Sequence, residues 1–328
     1  MKKIIFAFIP LLYLITLLFQ TDLAMMGDLG RHLKLGELIT QCLCVPQTNL
    51  FSYTHPDFPI VNHEWLAEVI FYFIAKTFGL SGLLISKIAI IITSAALVYT
   101  IARKKGSLFW VTIFSLLGIT MFSMRFFVLP ELFSYLFIAL FLFIIEKYKT
   151  TKKFWLLWLL PLLELLWVNM HIYFIIGIAI YSFFVLETLI REKKLAKPLV
   201  IIGLLLIVVT LVNPSGLKGA LLPFTFSHNY GFPVEENKSP LTILTPSSTN
   251  ANIVYTLIMQ IYIFETIVIL FALGLLFKAI WKHISSIGNG ITAAFLGLSY
   301  TRCISLFGLL GLIPLVQIFT HLEKKLAQ

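Results

Sequence analysis

The stretch SGLLISKIAIIITSAALVYTIARKK, residues 81–105, decides the fold class. From Ser81 to Ala102 it carries one charge, Lys87, and it closes on Arg103, Lys104 and Lys105. About 20 apolar residues in a helix cross the roughly 30 Å hydrocarbon core of a bilayer. A basic cluster at the end of such a run marks the cytoplasmic side. The rest of the chain repeats the pattern: 59% of its 328 residues are hydrophobic and only 12% are charged, with a mean hydropathy of +0.96. A soluble domain carries about 25% charged residues, and disordered chains are poor in apolar ones. The composition excludes both classes. It predicts an all-α, polytopic integral membrane protein, a single transmembrane domain over residues 1–328.

Working outward, apolar runs predict spans near 4–19, 81–102, 108–123, 131–146, 154–169, 171–190, 198–213, 253–277, 287–301 and 303–320, about ten transmembrane helices in all. The first is read as an uncleaved anchor, because its apolar run is longer than a signal-peptide core and no small-x-small site follows. With the N-terminal side taken as inside, the inside loops collect 17 of the 25 Lys and Arg residues. The outside loops are rich in Asp, Glu and His. The net charge of +10 is therefore loop asymmetry, not a nucleic-acid-binding face. The expected location is the plasma membrane, multi-pass, with both termini cytoplasmic.

Two outside loops are large, 21–79 and 214–252. In the first, residues 65–79 predict a helix whose Glu64, Glu68, Tyr72 and Lys76 share a face. Its other flank is apolar, so it is read as an interfacial, juxtamembrane helix. Gly79 and Gly82 part it from the next span. The three cysteines, Cys42, Cys44 and Cys303, are read as packing residues.

The polar residues of chemical interest crowd the same loop. Asp28, Arg31 and His32 fall at i, i+3 and i+4 and share a helical face. That pattern suits proton removal beside an anionic group, and it equally suits Asp28 as an N-cap. Asn62 is a candidate cap for the helix after it, with Glu64 complementing the positive helix end. His63 has no such structural role. Inside predicted spans, Glu164 and Glu265 mark costly positions, with Lys87 as a candidate partner.

Several strings together resemble one family. They are DLGRHLKLGE at 28–37, NLFSYT at 49–54 and VNHEWLAE at 61–68, followed by RFFVLPELFSY at 125–135, WVNMH at 167–171, NPSG at 213–216 and TRCISLF at 301–307. In order and spacing these resemble bacterial membrane glycosyltransferases of the GT-C superfamily, relatives of the mannosyl- and aminoarabinose transferases that use polyprenyl-phosphate sugars. The likeness covers residues 20–310. It departs from the family at Phe126, where proline is usual, and at Ile172 and Tyr173, where glycines are usual.

The resemblance implies a GT-C-like fold. It also implies inverting transfer of a sugar from a polyprenyl-phosphate donor to a hydroxyl on a glycan, lipid or protein acceptor, at the outer membrane face. Asp28 is then the expected general base. Arg302 and Arg125, with Arg31 behind them, are expected to hold the departing phosphate. His32, His63, Glu64, Asn169 and His171 are expected to line the cleft. A divalent cation, Mg²⁺ or Mn²⁺, on Asp28, Glu64 and Glu68 is an open expectation. The alternatives are a transporter or flippase of lipid-linked or small anionic solutes, and a non-catalytic relative. Beyond membrane lipids, donor and acceptor, no nucleic-acid partner is expected.

Overall fold

The structure is a computed structural model that describes residues 2–18, 28–225, 234–243 and 251–328. Its regular structure there is helical, apart from one isolated bridge between Thr48 and Pro59. Among the described residues fourteen α-helices follow one another. They are α1 (Lys2–Leu18), α2 (Leu29–Cys42), α3 (Trp65–Lys105), α4 (Leu108–Phe122), α5 (Glu131–Thr151), α6 (Leu159–Trp167) and α7 (Phe174–Glu192). The series continues with α8 (Lys197–Val209), α9 (Leu217–Thr225), α10 (Pro240–Ile243), α11 (Ala251–Gly274), α12 (Ile284–Ser299), α13 (Ile304–Leu310) and α14 (Leu312–Leu326).

Among the described residues four helical stretches are long and apolar enough to cross a membrane: Trp65–Lys105, Leu108–Arg125, Phe174–Glu192 and Thr256–Gly274. A fifth is added if Thr301–Leu310 and Leu312–Leu326, bent by 54°, form one span. Phe8–Leu18, Phe154–Trp167 and Lys197–Val209 are apolar but shorter. The helical membrane architecture therefore stands, while the described residues hold fewer full-length spans than the ten that the apolar runs predict. Prolines and glycines cut the runs. Pro314 lacks the N–H that would bond the carbonyl of Leu310, close to where the last pair bends.

The contacts sort the helix ends into two sets. At one end Lys105 pairs with Glu146, Lys149 with Glu187, and Arg191 with the carbonyl of Lys282. These residues belong to the loops that the charge pattern groups together. At the other end Trp65 meets Asn169, and Arg125 meets Glu131 and Glu236. Helix α1 runs parallel to α4, since Phe6 meets Thr112 and Tyr13 meets Thr120. Helices α4 and α13 cross at Gly118 and Gly308, where a Cβ on either would strike the carbonyl oxygen of the other. Small residues allow this close approach where hydrocarbon offers no solvent-driven attraction between helices.

Helix α3 is broken at Gly79, whose φ of 66° and ψ of −166° suit only glycine. The juxtamembrane helix and the following span are thus separate pieces, as the sequence predicts. Their packing differs from the prediction. The polar face from Glu64 to Tyr72 lies against α2, while Lys76 remains exposed. Glu68 is fully buried, and a Cβ on Gly36 would collide with the carbonyl of Glu68.

Two further expectations are corrected. Cys42 and Cys44 are exposed and joined as a disulfide, with Cα atoms 5.2 Å apart. Leu43, left-handed at φ 53°, ends α2 and turns the chain so that the two sulfurs meet. Cys303 is buried, as a packing residue should be. Of the two acids expected as partners of Lys87, Glu164 is excluded, because among the described residues neither of its carboxyl oxygens has a hydrogen-bond partner.

Candidate functional site

Glu64 is the hub of the polar end. It sits at the N-terminus of α3, where the preceding loop is fixed by Asn62: its Oδ1 accepts from the backbone N–H of Glu64 and its Nδ2 donates to Glu68. Three imidazoles face the Glu64 carboxylate. His63 Nε2 is 3.6 Å away, His32 Nδ1 3.9 Å and His171 Nε2 4.0 Å. Arg31 Nη2 is also 3.9 Å away. Burial raises the proton affinity of Glu64, but His63, His32, Arg31 and Arg302 outweigh it and hold the carboxyl below its usual range.

The hydrogen bonds orient two of these rings. Arginine only donates, so Arg31 Nη2, 3.4 Å from His32 Nε2, leaves the ring proton on Nδ1. From there it donates to Glu68 Oε1 at 3.1 Å. His171 sits in the turn between α6 and α7. Its Nδ1 lies 2.9 Å from Ser134 Oγ, which also accepts from Trp167 Nε1 at 2.8 Å. With the Ser134 hydroxyl donating to Nδ1, the neutral ring would present Nε2–H to Glu64. Burial first, then Arg302 and His63, holds His171 well below the ordinary histidine pKa.

Two guanidinium groups stand beside this cluster. Arg125 is bidentate on Glu131, at 2.5 and 3.2 Å, and its Nη1 donates to Glu236 Oε2 at 2.5 Å. Arg302 donates to the hydroxyl of Tyr173 and to Asn237 Oδ1, each at 3.3 Å, and its Nη1 is 3.6 Å from Glu236 Oε1. Glu236 therefore bridges both arginines. It belongs to the turn Glu235–Asn237 in the second large loop. Backbone and hydroxyl bonds from Thr301 to the Lys238 carbonyl, and from Ser239 to the Leu298 carbonyl, strap that loop over the α12–α13 junction.

Asp28 and Asn169 are placed differently from this core. Asp28 lies at the rim with its carboxylate 66% exposed, 3.7 Å from Arg31, which also approaches Glu64. It occupies the N-cap position of α2 without a side-chain capping bond. Residues 21–27 of the same loop fall outside the described residues. Asn169 ties three segments together. It accepts from Trp65 Nε1 at 2.8 Å and donates to the carbonyls of Leu165 and Val212, while its own carbonyl accepts from the Leu66 N–H.

His32, Glu64 and Glu68 bring one ligand atom each within 4.8 Å of one another. This set differs from the expected Asp28, Glu64 and Glu68, because Asp28 turns outward. One imidazole with two carboxylates suits Mn²⁺ or Zn²⁺ better than Mg²⁺. Binding through His32 Nδ1 would release the proton now given to Glu68.

No family model, curated protein or solved structure matches the chain. The chemistry of the end cluster is thus read from its own geometry. Sequence reasoning brought His32, His63, Glu64, His171, Arg125 and Arg302 to one end, and the structure joins them. It missed Glu131, Ser134, Tyr173 and Glu236 as their partners. Only the Glu-Glu-Asn turn at 235–237, an acidic patch in a large loop, carried a local signal.

Proposed function

We propose that the chain is a membrane glycosyltransferase of GT-C type. It would move a sugar from a polyprenyl-phosphate donor to an acceptor hydroxyl with inversion at the anomeric carbon. The observation that carries this reading is the pairing of Arg125 and Arg302 around the Glu236 carboxylate, next to the Glu64–imidazole cluster. Two guanidiniums sharing one carboxylate from a loop provide the charge and donor geometry that a phosphate would need in its place.

In this reading a carboxylate takes the proton of the acceptor hydroxyl as the oxygen bonds to C1. The bond from C1 to the phosphate oxygen breaks, and polyprenyl phosphate departs as an anion stabilised by the two arginines. Asp28 is the base that the family resemblance implies. Glu64, held ionised among imidazoles, is the second carboxylate of the site. A divalent ion on His32, Glu64 and Glu68 would add positive charge beside the reacting groups.

The test is turnover of polyprenyl-phosphate sugars by purified protein in lipid nanodiscs. Asp28→Asn should lower turnover by about 10²- to 10⁴-fold, and Arg302→Gln by about 10²- to 10³-fold, with normal accumulation. Full activity in Asp28→Asn with loss in Glu64→Gln would move the base to Glu64. Absence of turnover with every such donor would sink the reading. One observation favours a carrier instead, namely the unpartnered Glu164 carboxyl in the helix core. Solute uptake into proteoliposomes that is lost in Glu164→Ala and kept in Asp28→Asn would establish that alternative.

A further inference from the structure

The opposite, basic end of the bundle holds a separate polar cavity of about 310 Å³, between α3, α5, α7, α12 and α14. Three cations line it, Lys105, Lys149 and Arg191, against two carboxylates, Glu146 and Glu187. Both carboxylates are already engaged. Lys105 Nζ is 2.5 Å from Glu146, while Lys149 and Arg191 approach Glu187 at 3.1 and 3.4 Å. The second oxygen of Glu187 accepts from the Ser285 N–H at 2.8 Å. One positive charge is left in excess. His283, also on the wall, adds none, because burial and then Lys282 pull its pKa down to about 4.

Two further features describe a ligand. Asn289 lines the cavity and is 3% exposed, yet among the described residues its Oδ1 has no hydrogen-bond partner. A buried acceptor left this way costs about 1–3 kcal/mol unless a donor arrives. Leu142, Ile145 and Ile313 make an apolar wall in the same space. The occupant should therefore carry one negative charge, a hydrogen-bond donor and an apolar part.

We propose that this cavity binds the headgroup of an anionic, phosphoglycerol-type phospholipid. The phosphodiester meets Arg191 and Lys149, a headgroup hydroxyl donates to Asn289 Oδ1, and the glycerol and first acyl carbons cover the apolar wall. A single negative charge matches the single positive excess. A phosphocholine headgroup is zwitterionic and has no hydroxyl to offer, and free phosphate leaves the apolar wall bare. Basic pockets between helices at the cytoplasmic side suit anionic lipid heads. The proposal stands apart from the glycosyltransferase reading, whose residues lie at the other end.

The experiment measures thermal unfolding of the purified protein in neutral detergent with three probes: dihexanoyl phosphatidylglycerol, dihexanoyl phosphatidylcholine and inorganic phosphate. Phosphatidylglycerol should raise Tm saturably, by about 4 °C at a hundredfold excess over its Kd, and the other two should not. Arg191→Gln and Asn289→Leu, each compared with its own lipid-free Tm, should weaken that binding at least about tenfold, roughly 1.4 kcal/mol. Lys149→Gln replaces Arg191→Gln if the latter does not accumulate. An equal shift with phosphatidylcholine would overturn the proposal. So would a shift that inorganic phosphate reproduces, since the ligand would then be a soluble anion. An undiminished phosphatidylglycerol shift in the variants would overturn it as well.

Discussion

Glu64 and His171 show how individual side chains acquire chemistry from their neighbours. His171 is kept neutral by burial and by the adjacent Arg302 and His63. Its folded pKa lies below the value near 6.5 that the unfolded chain has. Its contribution to stability is therefore complete above about pH 6.5 and declines as the pH falls toward the folded pKa. Glu64, with its pKa also lowered, adds stability above the ordinary carboxylate range and loses it as pH drops through its folded value. Both effects have the same sign. Tm in detergent should fall between about pH 7.5 and about pH 5.5, and His171→Gln should flatten that slope. An identical slope in the variant would show that His171 does not titrate with unfolding. Neither shift was legible in the sequence, because each depends on burial and on Arg302, which lies more than a hundred positions along the chain from both groups.

At the scale of elements, the crossing of α2 and α3 positions the cluster. The i, i+3, i+4 pattern on α2 predicts that Asp28, Arg31 and His32 share a face, but a pattern cannot say what that face meets. Gly36 supplies the answer by letting the Glu68 backbone approach, which brings His32 within hydrogen-bond reach of Glu68. Gly36→Ala should destabilise the protein by about 1–3 kcal/mol through overpacking and should lower any activity that needs His32. Gly30→Ala, on the same helix with open space around its Cβ, should instead be neutral or stabilise by about 0.5–1 kcal/mol. Denaturant or thermal unfolding of the two variants separates close packing from simple helix propensity. Equal effects would deny the crossing its role.

Across the whole molecule, two opposed ends organise the protein. One gathers Lys105, Lys149 and Arg191 with their acids, and the other gathers Glu64, His171, Arg125 and Arg302. On the positive-inside pattern, the second end is expected outside the cytoplasm, and labelling tests that orientation. A membrane-impermeant thiol reagent should label Tyr53→Cys, at a fully exposed loop position, in intact cells. Lys193→Cys, between α7 and α8, should be labelled only after permeabilisation. The reverse outcome would invert the orientation and remove the donor-side placement of the candidate site.

The sequence by itself determined the membrane class, the helical content, the break at Gly79 and the grouping of basic loops. Those properties are sums of hydropathy and charge over one helix length, or a backbone conformation only glycine tolerates, so they can be read without knowing any contact. The tertiary structure decided which polar groups meet. It made Glu64 the centre with Asp28 at the rim, turned Asn169 into a three-way tie, paired Cys42 with Cys44, and set Glu236 between two arginines. Most of these contacts join residues separated by tens to more than a hundred positions. Only packing brings such residues together, and no local pattern encodes it.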